Sequence, residues 1–340
     1  MLRTTQELPA GLPVMPRLCV VAPVYNEAEC LREFQRRLAA AMDALGEWRV
    51  VYVDDGSVDG SPALLQEMRR HDPRIAIVRL SRNFGKEIAT TAGLDHAWGD
   101  AVIVIDADLQ DPPEVIPALV RRWEEGFDVV YAQRRSRAAE SMLKRATASL
   151  FYRLMQDLGN VHLPRDTGDF RLLSWRVVEA LGRMRECHRF MKGLFAWVGF
   201  SSTAVPYERA GRLAGHSKWR YRQLWNLAIE GITSFTVMPL KVATYLGLFV
   251  SLLAAVYACQ LIVRTVLFGN PVAGYPSLMA VVLVLGGVQL LTLGVIGEYL
   301  GRIFNEAKRR PLYFVDRFMP AAGMPAELPE VPVRLMERFG

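Results

Sequence analysis

The chain has 340 residues, of which 51% are hydrophobic and 22% charged, and its formal net charge is +6. This composition excludes an intrinsically disordered chain, and the length exceeds that of one typical domain. The positive balance suits an anionic partner such as nucleic acid, a phosphorylated substrate or acidic lipid. Residues 1–16 are polar and interrupted by proline, so we expect a flexible N-terminus without a signal peptide, which leaves this part in the cytoplasm.

From about Arg17 to Phe200, strand-like and helix-like segments alternate. The strand-like segments are short, rich in Val and Ile and nearly continuous in hydrophobicity, which is typical of strands buried in a mostly parallel sheet. Between them, residues 27–46 and 61–72 have helical spacing and end at Gly or Asp-Pro. The alternation predicts a doubly wound α/β domain. The predicted strands are residues 18–25, 48–55, 75–81, 101–108 and 128–134.

Two uncharged segments in the C-terminal part are long enough to cross a bilayer, residues 242–263 and 277–297. The alternative, a pair of buried core helices, is hard to accommodate in a domain of this size. Lys241 precedes the first segment and several Arg and Lys residues follow the second, whereas the loop between them carries only Arg264. By the positive-inside rule, residues 240–302 are predicted to be a transmembrane hairpin with both chain termini in the cytoplasm.

The segments that flank this hairpin complete the predicted membrane topology. Residues 216–239 mix Trp and Tyr with Lys and Arg, which predicts amphipathic helices at the membrane surface. Residues 303–340 are predicted to be a cytoplasmic tail. The expected location is therefore the inner (plasma) membrane, with a multi-pass topology. Glycines in LVLGGVQLL would allow close helix packing, which leaves a homo-oligomer open.

Several motifs are absent from the sequence, and each absence argues against one class of function. The first predicted strand lacks the glycine pattern of dinucleotide folds, and Gly85-Lys86 lacks the rest of a phosphate-binding P-loop. No HExxH or GxSxG motif occurs, and the five histidines have no metal-ligand spacing. No nucleic-acid recognition motif accompanies the positive charge, so we expect no nucleic-acid partner.

Three of the predicted strands end in polar residues, at the edge where α/β sheets bind ligands: Asn26-Glu27, Asp54-Asp55 and Asp106-Ala107-Asp108. Asp106 and Asp108 are two residues apart, so on a strand both side chains would face the same side. Mg²⁺ commonly combines one or two carboxylates with substrate phosphates, so this pair predicts a cation site. Asp54 and Asp55 end an earlier strand, where one of them could accept hydrogen bonds from a base or a ribose.

Three nearby acidic residues have a simpler interpretation. Asp59 precedes a helix-start composition and is predicted to form an Asx turn that caps the helix. Asp111 and Glu114 belong to the segment DPPE, whose proline and acid are typical of the first turn of a helix. None of these three side chains is assigned to the ligand site.

Five segments resemble the ordered motifs of glycosyltransferase family 2: VAPVYNEAE, VDDGSVDGS, RNFGKEIATTAGLDHAWGD, DADLQDPPE and DTGDFRLLS. Within that family the chain is most similar to polyprenyl-phosphate glycosyltransferases, namely the dolichol-phosphate mannose synthases and the bactoprenol glucosyltransferases. The resemblance covers nearly the whole chain, including both apolar segments. It implies a GT-A fold, a single nucleotide-binding α/β domain, over residues 17–215.

The resemblance also implies a nucleotide-sugar site built from strand-end loops. Its metal motif maps to Asp106 and Asp108, with Gln110 as a further ligand or near neighbour, and the expected ion is Mg²⁺ or Mn²⁺. The implied nucleotide-sugar-binding residues are Pro23, Tyr25, Asn26, Glu27, Asp54, Asp55, Gly85, Lys86, Asp106 and Ala107.

On the acceptor side, the resemblance places Asp169 as a base or an acceptor-orienting residue, with Asp166 as the competing candidate. Arg171 could instead pair with Asp169 structurally. A lipid phosphate has a second pKa of about 6 and is largely ionised at neutral pH, so a strong base is less necessary than positive charge. Each candidate cation could alternatively be a solvated surface residue or an anchor to acidic lipid. These candidates are Arg134, Arg135, Lys144, Arg145, Arg212 and Lys218.

The function implied by the resemblance is an inverting transfer of a sugar from a UDP-sugar to a polyprenyl phosphate at the cytoplasmic membrane face. Glucose and undecaprenyl phosphate are the leading expectation. A 4-amino-4-deoxy-arabinose derivative, an N-acetylhexosamine or mannose remains open as the sugar. The other alternative is a non-catalytic, membrane-tethered protein that binds nucleotide-sugar, against which the intact metal motif argues. A processive polysaccharide synthase would carry Q-x-x-R-W, and this chain does not.

Overall fold

The computed structural model describes residues 17–134, 167–187, 189–208, 238–268 and 274–324. The described residues form two compact units. One unit contains a β-sheet with its helices, and the other contains two long helices. Several sequence predictions lie outside the described residues: the juxtamembrane segment 216–237 and the side chains Arg135, Lys144, Arg145, Asp166, Arg212 and Lys218.

The first half of the sheet alternates strands and helices as predicted. β1 pairs in parallel with both β2 and β4, and β2 pairs in parallel with β3. The predicted strand 101–108 is shorter in the structure and ends at Val104, because the chain leaves the sheet before its carboxylates. The elements are β1 (Leu18–Val24), α1 (Ala28–Met42), β2 (Trp48–Asp54), α2 (Ser61–His71), β3 (Ile75–Leu80), α3 (Lys86–Asp95) and β4 (Ala101–Val104).

The second half of the sheet contains strands that the sequence analysis did not predict. β6 lies between β4 and β5 and is antiparallel to both, while β7 pairs in parallel with β5 at one edge. At the opposite edge, β8 is antiparallel to β3. The strand order is β7-β5-β6-β4-β1-β2-β3-β8. The elements are α4 (Ile116–Glu124), β5 (Val129–Arg134), β6 (Thr167–Ser174), α5 (Trp175–Gly182), α6 (Met191–Trp197), β7 (Ser202–Tyr207) and β8 (Val315–Met319).

The core of this unit is formed by the sheet and the apolar faces of its helices. In α1 the buried side chains recur every three or four residues, including Leu31, Phe34 and Leu38, which is the spacing of one helix face. Phe34 meets the ring of Tyr52 edge to face, with 6.2 Å between centroids. Burial of each such side chain contributes roughly 1.5–3 kcal/mol. The packed sheet thereby holds the loops at its strand ends in place.

The segment around β8 is tied to the sheet by side chains as well as by strand pairing. Tyr313 donates its hydroxyl to Asp95 Oδ2 at 2.8 Å, and Arg185 binds the same carboxylate through two hydrogen bonds of 2.7 and 3.0 Å. Arg69 donates to the backbone oxygen of Pro320 at 2.6 Å. The sheet unit therefore includes chain that follows the long helices in sequence.

The second unit consists of α7 (Met238–Phe268) and α8 (Tyr275–Ala307), which contain the two predicted apolar segments. Among the described residues, one segment, Val284–Ala307, is long and apolar enough to cross a membrane, with a mean hydropathy of 1.4. Large apolar side chains are exposed on both helices; Phe249 on α7 is 59% exposed and Leu290 on α8 is 72% exposed. Exposed apolar surfaces of this size are typical of sites that contact a membrane or another protein.

Candidate active site

Three loops follow the carboxyl ends of β1, β2 and β3 and hold most of the predicted nucleotide-binding residues; we call residues 25–27, 54–60 and 81–85 the donor loops. Asp55 is buried and accepts hydrogen bonds from the backbone nitrogens of Phe84 at 2.7 Å and Gly85 at 2.9 Å. Gly85 has a φ of 95°, a conformation that favours glycine, and α3 begins at the next residue. Asp55 therefore joins the second donor loop to the third.

The first donor loop is joined to the second in the same way. Asn26, with a φ of 56°, accepts a hydrogen bond on Oδ1 from the nitrogen of Val58 at 2.9 Å. The nitrogen of Glu27 donates to the Ser61 hydroxyl at 3.0 Å. Asp59 accepts a hydrogen bond from Ser61 N at 2.9 Å, which confirms the predicted Asx turn, but no side-chain hydrogen bond caps α2. These polar side chains hold the loops together.

Three further predicted nucleotide-binding residues differ in their exposure: Pro23, Tyr25 and Asp54. Pro23 is half-buried near the end of β1, and the Tyr25 side chain beyond it is 40% exposed. Asp54 is buried and uses Oδ1 to accept a hydrogen bond from Ser57 N at 2.9 Å. Its Oδ2 atom accepts no hydrogen bond from the described residues, and the Arg79 Nε atom lies 3.6 Å away. The Oδ2 atom of Asp54 is therefore buried and balanced by the charge of Arg79.

Two predicted site carboxylates meet at one ammonium group; we call Lys86, Asp106 and Asp169 the charged cluster. Lys86 Nζ lies 2.6 Å from Asp106 Oδ2 and 2.5 Å from Asp169 Oδ2. Lys86 is the first residue of α3, Asp106 follows β4, and Asp169 lies within β6. The structure therefore brings together residues that are far apart in sequence, on three separate elements.

Burial and charge act against each other in the charged cluster. Burial would lower the pKa of Lys86, but the two carboxylates outweigh burial and raise this pKa well above its usual value. Burial raises the pKa of Asp106, and Lys86 opposes that rise. Burial also opposes ionisation of Asp169, yet Lys86 and Lys192 hold its pKa below the usual value. Asp169 is therefore a stabilised carboxylate.

The loop after β4 differs from the prediction that Asp106 and Asp108 lie side by side on a strand. β4 ends at Val104, so both carboxylates lie in the following loop, and strand alternation does not relate them. Asp108 Oδ1 accepts a hydrogen bond from Gln110 N at 3.1 Å. Ala107 is buried, and Leu109 has a φ of 58°, an unusual conformation for a bulky residue. Such backbone strain often accompanies functional loops.

The charged cluster has the donor chemistry of a site for a hard divalent cation. Asp106 and Asp169 already surround a positive charge with carboxylate oxygens, and Asp169 Oδ1 is buried without a hydrogen-bond donor in the described part of the chain. Within the described residues, no three His, Cys, Asp or Glu side chains are grouped as metal ligands. The residues therefore fit an ion that takes few protein oxygens and completes its coordination with phosphate and water, as Mg²⁺ does.

Two acidic residues that were interpreted as helix-start residues have different environments. Glu114 is exposed and pairs with Arg37 through two hydrogen bonds of 2.7 Å, in agreement with a structural role. Asp111 is buried, accepts a hydrogen bond from the Tyr207 hydroxyl and lies 3.9 Å from Arg134 Nη2. Arg134 is the one candidate acceptor-binding residue within the described chain. The sequence analysis did not identify Tyr207 as a site residue, since no pattern in the sequence indicates that it contacts Asp111.

Arg171 does not form the ion pair with the Asp169 side chain that the sequence left open as an alternative. It is buried, donates to the backbone oxygens of Gly168 at 2.7 Å and Asp169 at 3.3 Å, and lies over the Phe195 ring at 3.9 Å from the centroid. Burial lowers the pKa of Arg171 to about 10. Arg171 therefore acts on the Asp169 carboxylate only through its charge, and the direct ion-pair partner of that carboxylate is Lys86.

Glu87 was also missed by sequence analysis, although it follows Lys86 directly. Its Oε2 atom accepts a hydrogen bond from Met191 N at 2.9 Å, which joins α3 to the start of α6. Burial, together with the charge of Asp169, raises the pKa of Glu87 to about 7. A carboxyl group that titrates near neutral pH therefore lies beside the charged cluster.

Comparison with known proteins identifies two matching family models. The family described as "Glycosyl transferase family 2" matches residues 19–182, and "GtrB C-terminal hairpin" matches residues 238–303. The first match covers the donor loops and the charged cluster, and the second covers most of α7 and α8. The first match lies largely within the sheet unit and ends before α6, β7 and β8, and the second match lies within the unit of the two long helices.

Several curated proteins are similar over nearly their whole length. An uncharacterised glycosyltransferase of Synechocystis is 50% identical over 91% of this chain and 98% of its own. The prophage-derived bactoprenol glucosyl transferase of Shigella flexneri is 46% identical over 88% of this chain and 98% of its own. The prophage bactoprenol glucosyl transferase homologue of Escherichia coli is 45% identical over 88% and 99%, respectively. Among solved structures, glucosyl-3-phosphoglycerate synthase of Mycobacterium tuberculosis matches with a TM-score of 0.43 and 20% identity over 64% of this chain and 78% of that one.

Proposed function

The chain belongs to glycosyltransferase family 2, and on that premise we propose that it transfers glucose from UDP-glucose to undecaprenyl phosphate at the cytoplasmic face of a membrane. Its mostly parallel α/β sheet has the GT-A-like fold expected of the family. The observation that carries the proposal is the meeting of Asp106 and Asp169 at one cationic position, beside loops that present polar groups at the strand ends. A single displacement at the sugar would invert its anomeric carbon.

The acceptor is proposed from the relatives and from the second unit. Proteins named bactoprenol glucosyl transferases align over both units of this chain at 45–46% identity. Residues 238–303 match a hairpin family, and the large apolar side chains of α7 and α8 are exposed. Such helices would lie in the bilayer, and a polyprenyl phosphate would expose its phosphate group at the surface of the same bilayer. Both features support a lipid acceptor.

We propose that α7 and α8 both cross the membrane and that the sheet unit is cytoplasmic. Lys241 and Arg302 flank the apolar segments on the side of the chain termini, and Arg264 precedes the connection between the helices. This distribution of positive charge favours an N-in, C-in hairpin. The exposed apolar side chains of both helices support the same arrangement, because lipid would cover them.

On the donor side, Asp106 and Asp108 would hold Mg²⁺ or Mn²⁺, with Gln110 nearby and Asp169 facing the same position as Asp106. When bound, such an ion would neutralise the diphosphate that leaves the sugar, acting as a Lewis acid. Lys86 would contact the same diphosphate, since its ammonium group already lies where two anions converge. Asp54 or Asp55, at the end of β2, would accept a hydrogen bond from the base or ribose.

On the acceptor side, we assign Asp169 to orientation of the acceptor and not to proton removal. Its Oδ2 atom lies 2.5 Å from Lys86 Nζ, so the carboxylate is already paired with a positive charge. The acceptor phosphate is itself largely ionised at neutral pH, since the second pKa of a phosphate monoester is about 6. Arg134, half-buried at the end of β5, would bind that phosphate. Attack by the phosphate oxygen then requires positioning more than base catalysis.

A lipid-extraction assay with the full-length protein tests this proposal. Membranes that carry the protein would be incubated with undecaprenyl phosphate, Mg²⁺ and one labelled UDP-sugar at a time, and label would be counted in the organic phase. We expect label from UDP-glucose, and loss of more than about 100-fold in Asp106→Asn, because the cation site loses a charge. Asp43→Asn is the matched control, since Asp43 is 58% exposed and pairs with Arg74 away from the cluster.

The other outcomes each correct one part of the proposal. If label came from a different UDP-sugar, glucose would be the wrong donor sugar, but the reaction class would stand. UDP release without lipid label would exclude the lipid acceptor. Full activity of Asp106→Asn would remove the charged cluster from the chemistry, and a complete absence of turnover would favour a protein that binds nucleotide-sugar without transferring it.

A further inference from the structure

A buried chain of three polar side chains ends at Arg134, next to the charged cluster. Arg134 donates from Nε to the Tyr207 hydroxyl at 3.3 Å, and Tyr207 in turn donates that hydroxyl to Asp111 Oδ1. Arg134 Nη2 lies 3.9 Å from the same carboxylate oxygen. The charge of Asp106 also acts on Arg134 and helps to raise its pKa against the effect of burial. Gly168, the neighbour of Asp169 in β6, lies against two of these groups, because a Cβ atom there would be 3.3 Å from Arg134 Nη2 and 3.7 Å from Asp111 Oδ2. We call the three side chains and the charged cluster together the charged region.

The fold explains why these three groups meet. Arg134 and Tyr207 are register partners in the parallel pairing of β5 with β7, so they lie side by side. Asp111 reaches them from the loop after β4, where it is 2% exposed. Gly168 at the start of β6 leaves the necessary room, because a Cβ atom there would lie only 3.3 Å from Arg134 Nη2. The guanidinium group of β5 is thus surrounded by three other segments: β6, β7 and the loop after β4.

The protonation states of these three side chains are those that the two hydrogen bonds from Arg134 to Tyr207 and from Tyr207 to Asp111 require. Burial, reinforced by Asp111, raises the pKa of Tyr207 to about 12, so the hydroxyl keeps its proton at neutral pH and donates it. The Arg134 side chain is 23% exposed, whereas that of Asp111 is 3% exposed. The guanidinium is therefore anchored on its buried side and accessible on another. Its ring partner is also fixed, since Tyr207 meets Phe170 edge to face at 6.2 Å between centroids.

We propose that Asp111 and Tyr207 are positioning residues that fix the Arg134 guanidinium to bind the phosphate of the acceptor. The inference rests on the proposed function and adds to it the residues that aim the acceptor-binding arginine. An arginine side chain has many rotamers, and holding its planar fork in one orientation lowers the entropic cost of binding an oxyanion. Asp111 and Tyr207 supply that restraint without contacting the substrate.

Steady-state kinetics of the full-length protein in detergent–lipid micelles test the role of Tyr207. Tyr207→Phe keeps the ring against Phe170 and removes only the hydroxyl between Arg134 and Asp111. We expect the KM for undecaprenyl phosphate to rise about tenfold, the size of one lost hydrogen bond to a charged group. The KM for the UDP-sugar should stay close to that of the unsubstituted protein. The thermal unfolding midpoint should fall, because the buried Asp111 carboxylate loses its hydroxyl donor.

A second background separates positioning from a general structural effect. If Tyr207 acts through Arg134, then Tyr207→Phe should have no further effect on the acceptor KM in a protein that already carries Arg134→Gln. The matched control is Tyr313→Phe, which also removes a hydroxyl that donates to an aspartate, Asp95, but outside the charged region. We expect the control to leave both KM values unchanged.

Three results would overturn the inference while leaving the proposed function intact. They are an unchanged acceptor KM in Tyr207→Phe, an increase in the donor KM in place of the acceptor KM, and an equal effect of Tyr207→Phe with and without Arg134→Gln. If the unsubstituted protein makes no lipid-linked product while the donor is hydrolysed or only bound, the proposed acceptor is wrong and the inference is overturned with it.

Discussion

The donor loops and the charged cluster hold their polar side chains in different ways. In the donor loops, the buried carboxylate of Asp55 accepts hydrogen bonds from two backbone nitrogens, and the side-chain amide of Asn26 accepts one from Val58. In the charged cluster, Asp106 and Asp169 are balanced by the side chain of Lys86. Backbone partners are fixed by the fold, whereas a lysine side chain can change partner when a ligand brings new charge.

This difference predicts which substitutions affect folding and which affect chemistry. A carboxylate held by backbone groups shapes its loop, so its loss should mainly lower stability and weaken the nucleotide site indirectly. A carboxylate held by a mobile ammonium group remains available to a cation, so its loss should mainly lower turnover. Asp106→Asn, with its expected loss of more than about 100-fold in activity, is the extreme case on the side of chemistry.

Asp55→Asn is the corresponding case on the side of folding. The amide would turn one of the two acceptors into a donor that faces a backbone N–H of Phe84 or Gly85, both of which now bind Asp55. A buried donor without an acceptor costs about 1–3 kcal/mol, so we expect a lower unfolding free energy of about that size and weaker UDP binding. Thermal unfolding and isothermal titration with UDP would measure the two effects.

Asp59→Asn is the matched control for that change. Asp59 also accepts hydrogen bonds from two backbone nitrogens, those of Ser61 and Ala28, but it is exposed and lies in an Asx turn that asparagine tolerates. Its unfolding midpoint should move less than that of Asp55→Asn. If both variants unfold alike, or if Asp55→Asn loses turnover without losing stability, the distinction between the two regions fails.

Glu87 combines features of both regions and allows a sharper test. It accepts a backbone hydrogen bond from Met191, as a donor-loop carboxylate does, yet it lies in the field of Asp169. Burial and that field raise its pKa to about 7, above the value of about 4.3 expected in the unfolded chain. Between these two values the folded state binds more protons than the unfolded state, so stability falls as the pH rises.

The full contribution of Glu87 is therefore present below about pH 4.3 and lost as the pH rises through about 7, by a free energy on the order of 3 kcal/mol. Glu87→Gln keeps an acceptor for Met191 N and removes the titration. Unfolding midpoints measured from pH 5 to pH 8 should fall more steeply for the unsubstituted protein than for the variant. Parallel curves would mean that Glu87 is not protonated in the folded state.

The first half of the sheet was predictable because its signals are local. Runs of Val and Ile placed β1, β2, β3 and β5 to within a residue or so at each end, since strands buried on both faces are nearly continuous in hydrophobicity. The strand before Asp106 was predicted too long, because the apolar run continues through Ile105 after the pairing has ended. β7 escaped prediction because only Val205 and Tyr207 of its six residues are buried and because it contains Pro206, which is tolerated at a sheet edge.

The charged region was only partly predictable because its contacts join distant segments. The resemblance placed Lys86 and Asp106 with the nucleotide-sugar and Asp169 near the acceptor, but no spacing shows that Lys86 bridges these two carboxylates, 20 and 83 positions away. Tyr207 contacts Asp111 across 96 positions through strand pairing that local patterns do not encode. Its role can be inferred only once β5, β6 and β7 are placed beside one another.

Glu114 provides the smallest expected effect and a third kind of carboxylate. It is 55% exposed and its partner Arg37 is 20% exposed, so water competes for both groups. Exposed ion pairs contribute less than about 1 kcal/mol, and Glu114→Gln should lower the unfolding free energy by no more than that while both KM values stay unchanged. Glu114 shares its segment with Asp111, three positions earlier, yet lacks buried polar partners. A loss of acceptor affinity in Glu114→Gln would therefore show that sequence proximity, and not the buried chain to Arg134, determines acceptor binding.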